Sequence, residues 1–154
     1  MDAHARGAFF GLNLRHSLPH LTRAVMEGVV YSLRDCLDLM TGMRLPVTEV
    51  RATGGGARSP VWRQLQADVF GLPVHRTRID EGPAFGAALL AGVAAGAYAD
   101  VFEASALVQL DPEVNQPDPA LNRLYQGYHK AYSDLYSATA PVMHRLADLG
   151  STSP

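Results

Sequence analysis

The run Ala52-Thr53-Gly54-Gly55-Gly56-Ala57-Arg58-Ser59-Pro60 constrains this chain more than any other segment. Upstream of it, Val47 to Thr53 follows Pro46, is rich in β-branched residues and reads as a strand. Downstream, Ser59 is a good N-cap and Pro60 suits the first turn of a helix with Val61, Leu65 and Val69 on one face. Gly71 ends that helix, Leu72 to Thr77 reads as a second short strand, and a third helix opens near Asp80-Glu81-Gly82-Pro83. Strands alternating with helices predict α/β layers and an at least partly parallel sheet. Two strands make a poor sheet, so the chain is expected to be part of a larger α/β domain or to borrow an edge.

Glycines between a strand and a capped helix let the backbone approach a ligand closely, and the free amides of the helix start favour phosphate oxygens. A Walker A loop is excluded, because it needs a lysine and Lys130 is the only one in the chain. A Rossmann turn is incomplete: counted from Gly54, the last position of G-x-G-x-x-G/A falls on Ser59. A phosphate or adenosine loop of the actin-like ATPase type remains open, beside a tight strand–helix turn that holds no ligand. Other chemistries lack support. No G-x-S-x-G nucleophile elbow occurs. The histidines are scattered, and the one close pair, His16 and His20, is separated by the cap at Ser17 and by Pro19, so no zinc site is expected.

Leu18 to Thr41 is predicted as a long helix, capped by Ser17 and ended by Gly42. Its stripe of Leu18, Leu21, Val25, Val29, Leu33, Cys36, Leu37 and Met40 places Cys36 on a buried side. Gly82 to Ala99 carries no charge and is mostly Ala and Gly, which reads as a tightly packed helix rather than a membrane span. Residues 111–119, with three prolines, read as a linker, and 120–149 as a closing helix. Tyr125, Tyr128, Tyr132 and Tyr136 recur along that helix with their phenol tips expected in solvent, and Pro141 should kink or end it. At 154 residues, 47% hydrophobic, the chain has enough material for one core, and its net charge of −2 offers no footprint for nucleic acid or an anionic membrane. One cysteine and no signal-peptide pattern at the N-terminus lead us to expect a cytoplasmic protein.

Three blocks together resemble the C-terminal domain of the FGGY carbohydrate kinases, the xylulose kinases most of all. The first is Gly7-Ala8-Phe9-Phe10-Gly11-Leu12 with His20 to Gly28 after it. The second runs from Gly54 through Ser59-Pro60-Val61-Trp62-Arg63-Gln64 to Ala67-Asp68 and Gly71-Leu72-Pro73-Val74. The third is Glu81-Gly82-Pro83-Ala84-Phe85-Gly86-Ala87-Ala88. The motif-bearing part is 7–98, within a chain that as a whole, 1–154, is similar to the nucleotide-binding side of such a kinase.

That resemblance implies a partial actin-like (ribonuclease H-like) fold and transfer of the γ-phosphoryl group of ATP, with Mg²⁺, to a sugar hydroxyl, D-xylulose in the nearest case. Carried over, Gly54, Gly55, Gly56 and Ala57 would line the nucleotide, with Ser59 and Pro60 near the base. The catalytic Asp and most sugar contacts of the family lie upstream of the segment seen here, so no residue of this chain is assigned as catalytic. Another FGGY kinase, for gluconate or ribulose, and a non-catalytic remnant that self-associates are the alternatives. The chain alone is expected to be inactive and to form a homo-oligomer through an uncovered sheet edge and a stripe that lacks part of its cover.

Overall fold

The computed structural model describes residues 2–79 and 82–151. Its elements, in order, are α1 (Leu18–Gly42), β1 (Val50–Ala52), a 3-10 turn (Gly55–Arg58), α2 (Pro60–Phe70), β2 (Val74–Thr77), α3 (Gly82–Ala94), α4 (Val101–Ser105), β3 (Leu110–Asn115) and α5 (Pro119–Ser151). The strands form one mixed sheet of order β1-β2-β3. β1 and β2 are parallel, with Val50 opposite Val74 and Ala52 opposite Arg76, whereas β3 runs antiparallel to β2. Crossing from β1 to its parallel neighbour requires a helix, and α2 supplies it.

Local chemistry sets most helix ends. Ser59 caps α2, and Gly71 closes it at φ 69 in the left-handed region, its N–H bonded to the Ala67 carbonyl at 2.8 Å. Asp118 caps α5 by accepting the Ala120 N–H at 2.7 Å. At the end of α1 the expected stop is displaced: Gly42 is still helical, and Arg44 takes the left-handed position at φ 59 while Leu45 N–H reaches the Met40 carbonyl at 3.1 Å. The helix α5 continues through Pro141 rather than ending there.

The core surrounds α2. Leu65, Ala67, Val69 and Phe70 pack with Val30 and Tyr31 of α1, Val74 of β2 and Tyr125 of α5. Burying an aliphatic or aromatic side chain of this kind contributes about 1.5–3 kcal/mol each.

Four expectations need correction. The segment 111–119, read as a linker, contains most of β3; Pro112 is tolerated because β3 is an edge strand, where a missing N–H can fall on the open side. The stripe of α1 is largely uncovered: Val25, Val29, Leu33 and Met40 are exposed, Leu18 at 74%, and Cys36 is exposed as well. Only the line through Met26, Val30, Tyr31 and Leu37 meets the core, because α2 and α5 cover that line and nothing among the described residues covers the other. The helix α3 has no buried residue and its main partner is α4, so beyond Gly82 at its start its small side chains do not press against the sheet. Tyr125 does not reach solvent either; its hydroxyl donates to Glu27 Oε1 at 3.0 Å and accepts from Arg23 Nη2 at 2.7 Å. Among the described residues no helix is long and apolar enough to cross a membrane.

Two glycines should therefore respond in opposite ways. Gly71→Ala combines a positive φ with a Cβ only 2.9 Å from Asn122 Nδ2, and should lower stability by about 1–3 kcal/mol. Gly86→Leu meets open space and should stay within about 0.5 kcal/mol of the parent, where packing against the sheet would have made it costly. Urea midpoints of the two variants check both.

Candidate functional site

The strand β1 ends at Ala52, and Gly54 then adopts φ 79, ψ −173, a conformation that is essentially closed to side chains. This turns the chain into the 3-10 turn, closed by Ala57 N–H to the Gly54 carbonyl and Ser59 N–H to the Gly56 carbonyl, each at 3.1 Å. Ser59 leaves the turn extended, and its Oγ accepts the Trp62 N–H at 3.3 Å, which starts α2 at Pro60. The six candidate residues thus form one continuous surface feature, with Gly55, Gly56, Ser59 and Pro60 exposed. Ala57 is the exception. The whole residue is buried, its N–H bonded to the Gly54 carbonyl and its carbonyl to Arg63, so it supports the turn from behind.

The loop sits at the carboxyl end of β1, beside the carboxyl end of its parallel neighbour β2, which is where open parallel sheets bind ligands. Thr53 Oγ1 and Thr77 Oγ1 both donate to the Ile79 carbonyl, at 3.2 and 3.0 Å, and stitch the two strand ends together. A third element joins them: a Cβ on Gly82 would stand 2.6 Å from Thr53 Cγ2, so the first residue of α3 lies directly against the start of the loop. Two glycine-bearing blocks far apart in sequence therefore meet at one end of the sheet. Asp80 and Glu81, which precede α3, lie outside the described residues.

Space is open over the middle of the run. A Cβ on Gly55 meets nothing within 4 Å, while one on Gly56 would touch the Trp62 indole, with Nε1 at 3.4 Å. Trp62 therefore walls one side of the loop from the first turn of α2. One residue that holds the loop escaped the sequence reading. Arg63 is 3% exposed, and its Nη1 donates to the Ala57 carbonyl at 2.7 Å from behind. The apolar periodicity of α2 gives no signal for it, since an arginine between Val61 and Leu65 reads as a solvent-facing residue.

Groups with displaced titration lie elsewhere. Burial pushes the Tyr31 and Tyr125 phenols up, and a hydrogen bond from His144 holds the Asp2 carboxyl well below the usual carboxylate range. Tyr31 lies on α1, Tyr125 on α5, and Asp2 in the N-terminal segment against Tyr136 and His144 of α5. His16 and His20 use their Nδ1 atoms locally, accepting N–H groups of Asn13 at 2.9 Å and Ser17 at 3.2 Å. No group of three His, Cys, Asp or Glu side chains is placed to hold a metal among the described residues. The chemistry of the loop is that of main-chain amides at a helix start, which suits an anion.

Comparison with known proteins finds relatives along most of the chain. A profile described as the FGGY family of carbohydrate kinases, C-terminal domain, matches residues 1–95. A xylulose kinase from Staphylococcus epidermidis is 36% identical over 139 residues, 90% of this chain and 28% of the relative. Among solved structures, a ligand-bound xylulose kinase from Lactobacillus acidophilus superimposes with a TM-score of 0.82 at 33% identity, over 94% of this chain and 29% of that one. A gluconate kinase from Lactobacillus acidophilus superimposes with the same TM-score of 0.82, at 33% identity and over the same shares. The chain thus spans less than a third of the length of the proteins it matches.

The loop geometry makes neighbouring glycines unequal. Gly54→Ala should cost about 1–3 kcal/mol, because alanine must hold a positive φ, whereas Gly55→Ala should be nearly neutral. Thermal or urea unfolding of the pair measures the difference.

Proposed function

This chain belongs to the FGGY family of carbohydrate kinases, and on that premise we propose that it forms the nucleotide-binding wall of an ATP-dependent sugar kinase. The observation that carries the reading is the exposed turn Gly54–Ser59 at the carboxyl ends of two parallel strands, with the start of α3 closing its side. In phosphoryl transfer the protein works by positioning and by stabilising charge, so a wall of this kind holds the phosphates while another part of the protein presents the acceptor. Gly54, Gly55 and Gly56 would admit the phosphates to the backbone, Ala57 would line the site from behind as the buried support of the turn, and Ser59 with Pro60 would flank the base. The fit is steric and polar: open space at Gly55, exposed main chain, and a helix start behind it. Mg²⁺ would arrive with the nucleotide and neutralise phosphate charge; this chain supplies positioning, and no catalytic base is assigned to it.

D-xylulose, giving xylulose 5-phosphate, is the acceptor we favour, because xylulose kinase is the name that recurs among similar relatives and structures. A gluconate acceptor is supported by the equally similar gluconate kinase, and a ribulose acceptor rests on the sequence resemblance alone. A non-catalytic remnant that self-associates is supported by the exposed apolar side of α1. We assign the protein to the cytoplasm, with Cys36 a free thiol, and assign it no nucleic-acid or membrane partner.

The test uses Gly55→Val in the full-length protein that carries this chain. The added Cβ meets nothing within 4 Å among the described residues, so folding should be retained while the KM for ATP rises about tenfold or more and the KM for the sugar stays unchanged. An unchanged KM for ATP would remove the assignment. For the 154-residue chain alone, a coupled ADP-release assay should show no turnover on D-xylulose, and light scattering should give a dimer or larger species. Sugar-dependent turnover or a strictly monomeric chain would contradict the corresponding half.

A further inference from the structure

Arg63, Gln64 and Asp68 belong to the second block of the resemblance, and the contact of the glycine turn with nucleotide does not account for any of them. Arg63 and Asp68 are each 3% exposed, a cation and an anion taken out of water on the same helix. They do not pair directly. Arg63 Nε donates to Asn115 Oδ1 at 2.8 Å, Asn115 Nδ2 donates to Gln64 Oε1 at 3.1 Å, and Gln64 Nε2 donates to Asp68 Oδ1 at 2.9 Å. A guanidinium only donates and a carboxylate only accepts, so both intervening amides have a single orientation and every bond runs the same way, from cation to anion. Aligned bonds of this kind polarise one another, and the two buried charges are compensated through the chain between them.

Each end of the relay grips a functional element. Arg63 Nη1 holds the Ala57 carbonyl inside the 3-10 turn at 2.7 Å, and its Nη2 lies 3.5 Å from Glu113 of β3. Asp68 Oδ1 accepts the N–H of Asp118, the residue that caps α5, at 2.9 Å. We propose that Arg63 is the positioning residue of the glycine turn, fixed by the relay through Asn115 and Gln64 to Asp68, and that it holds the turn in its nucleotide-receiving shape before the ligand arrives. The proposal rests on the nucleotide reading of the turn given above.

The physical need is specific to this segment. A run of glycines has more conformational freedom than any other sequence, and two internal main-chain bonds are a weak restraint on it. The guanidinium is a rigid planar fork, so gripping Ala57 and Asn115 together fixes the angle between the turn and the edge strand β3 as well as their distance. A loop already in its bound shape loses less freedom on binding, and the gain appears as affinity for the nucleotide rather than for the sugar.

The test measures ADP affinity by calorimetry and amide hydrogen exchange in the full-length protein. The variants are Asn115→Leu, which cuts the relay and leaves Arg63 in place, Arg63→Lys, which keeps the charge without the fork, and Arg63→Met. In Asn115→Leu and Arg63→Met, the Kd for ADP should rise about tenfold and amides 55–59 should exchange faster, with residues 65–70 still protected and the KM for the sugar unchanged. Arg63→Lys should recover part of both losses. If Arg63→Met does not fold, Asn115→Leu and Arg63→Lys decide the matter. Wild-type ADP affinity and loop exchange in folded Asn115→Leu and Arg63→Lys would overturn the proposal. Gly55→Val separates the two ideas: if it abolishes ADP binding while the relay variants do nothing, the nucleotide reading stands and the positioning role falls. If Gly55→Val also binds ADP normally, both fall.

Discussion

The burial of α2 on every side from Leu65 to Phe70 is the constraint on which the other elements depend. A helix with one wet face can place its polar residues there, but α2 has none to spare along this stretch. Its apolar residues draw α1, β2 and α5 onto it, and its buried charges, Arg63 and Asp68, take their partners inside the protein. The helix therefore organises both a core and a polar network, and the network leads from the centre of the molecule to the glycine turn at the helix start. Stability and the geometry of the site share one element.

The opposite regime holds on the far side of α1 and along α3. On α1 apolar side chains from Leu18 to Met40 face solvent in a stripe, and on α3 Leu90 does the same. A chain spanning about 28–30% of the xylulose and gluconate kinases it resembles fits that pattern.

What was legible in the sequence was what local chemistry decides. Ser59, Pro60 and Gly71 mark the ends of α2 through caps and a left-handed turn that need no tertiary partner. The three glycines identified the turn for the same reason. Periodicity named the apolar residues of α1 correctly and could not say which of them another helix would cover, so Cys36 was placed on a side that is in fact wet. β3 was hidden by Pro112 and its acidic neighbours, since an edge strand is selected by its partner more than by its own propensity. Arg63 was illegible because burial of a charged residue is a property of the assembled fold. Nothing in its immediate neighbours announces it.

The long reach of the relay has a consequence for the order of folding. Arg63 and Asn115 are 52 positions apart, and Asp68 and Asp118 are 50 apart, so neither bond can form until β3 and the beginning of α5 have been synthesised. As the chain emerges from the ribosome, α1 and the cap of α2 can take shape from local signals alone, while loop-closure entropy delays the distant pairings. The glycine turn thus precedes its own restraint by half the length of a typical small domain. During that interval the turn is held only by its two internal bonds and by an Arg63 whose own orientation the relay has yet to fix.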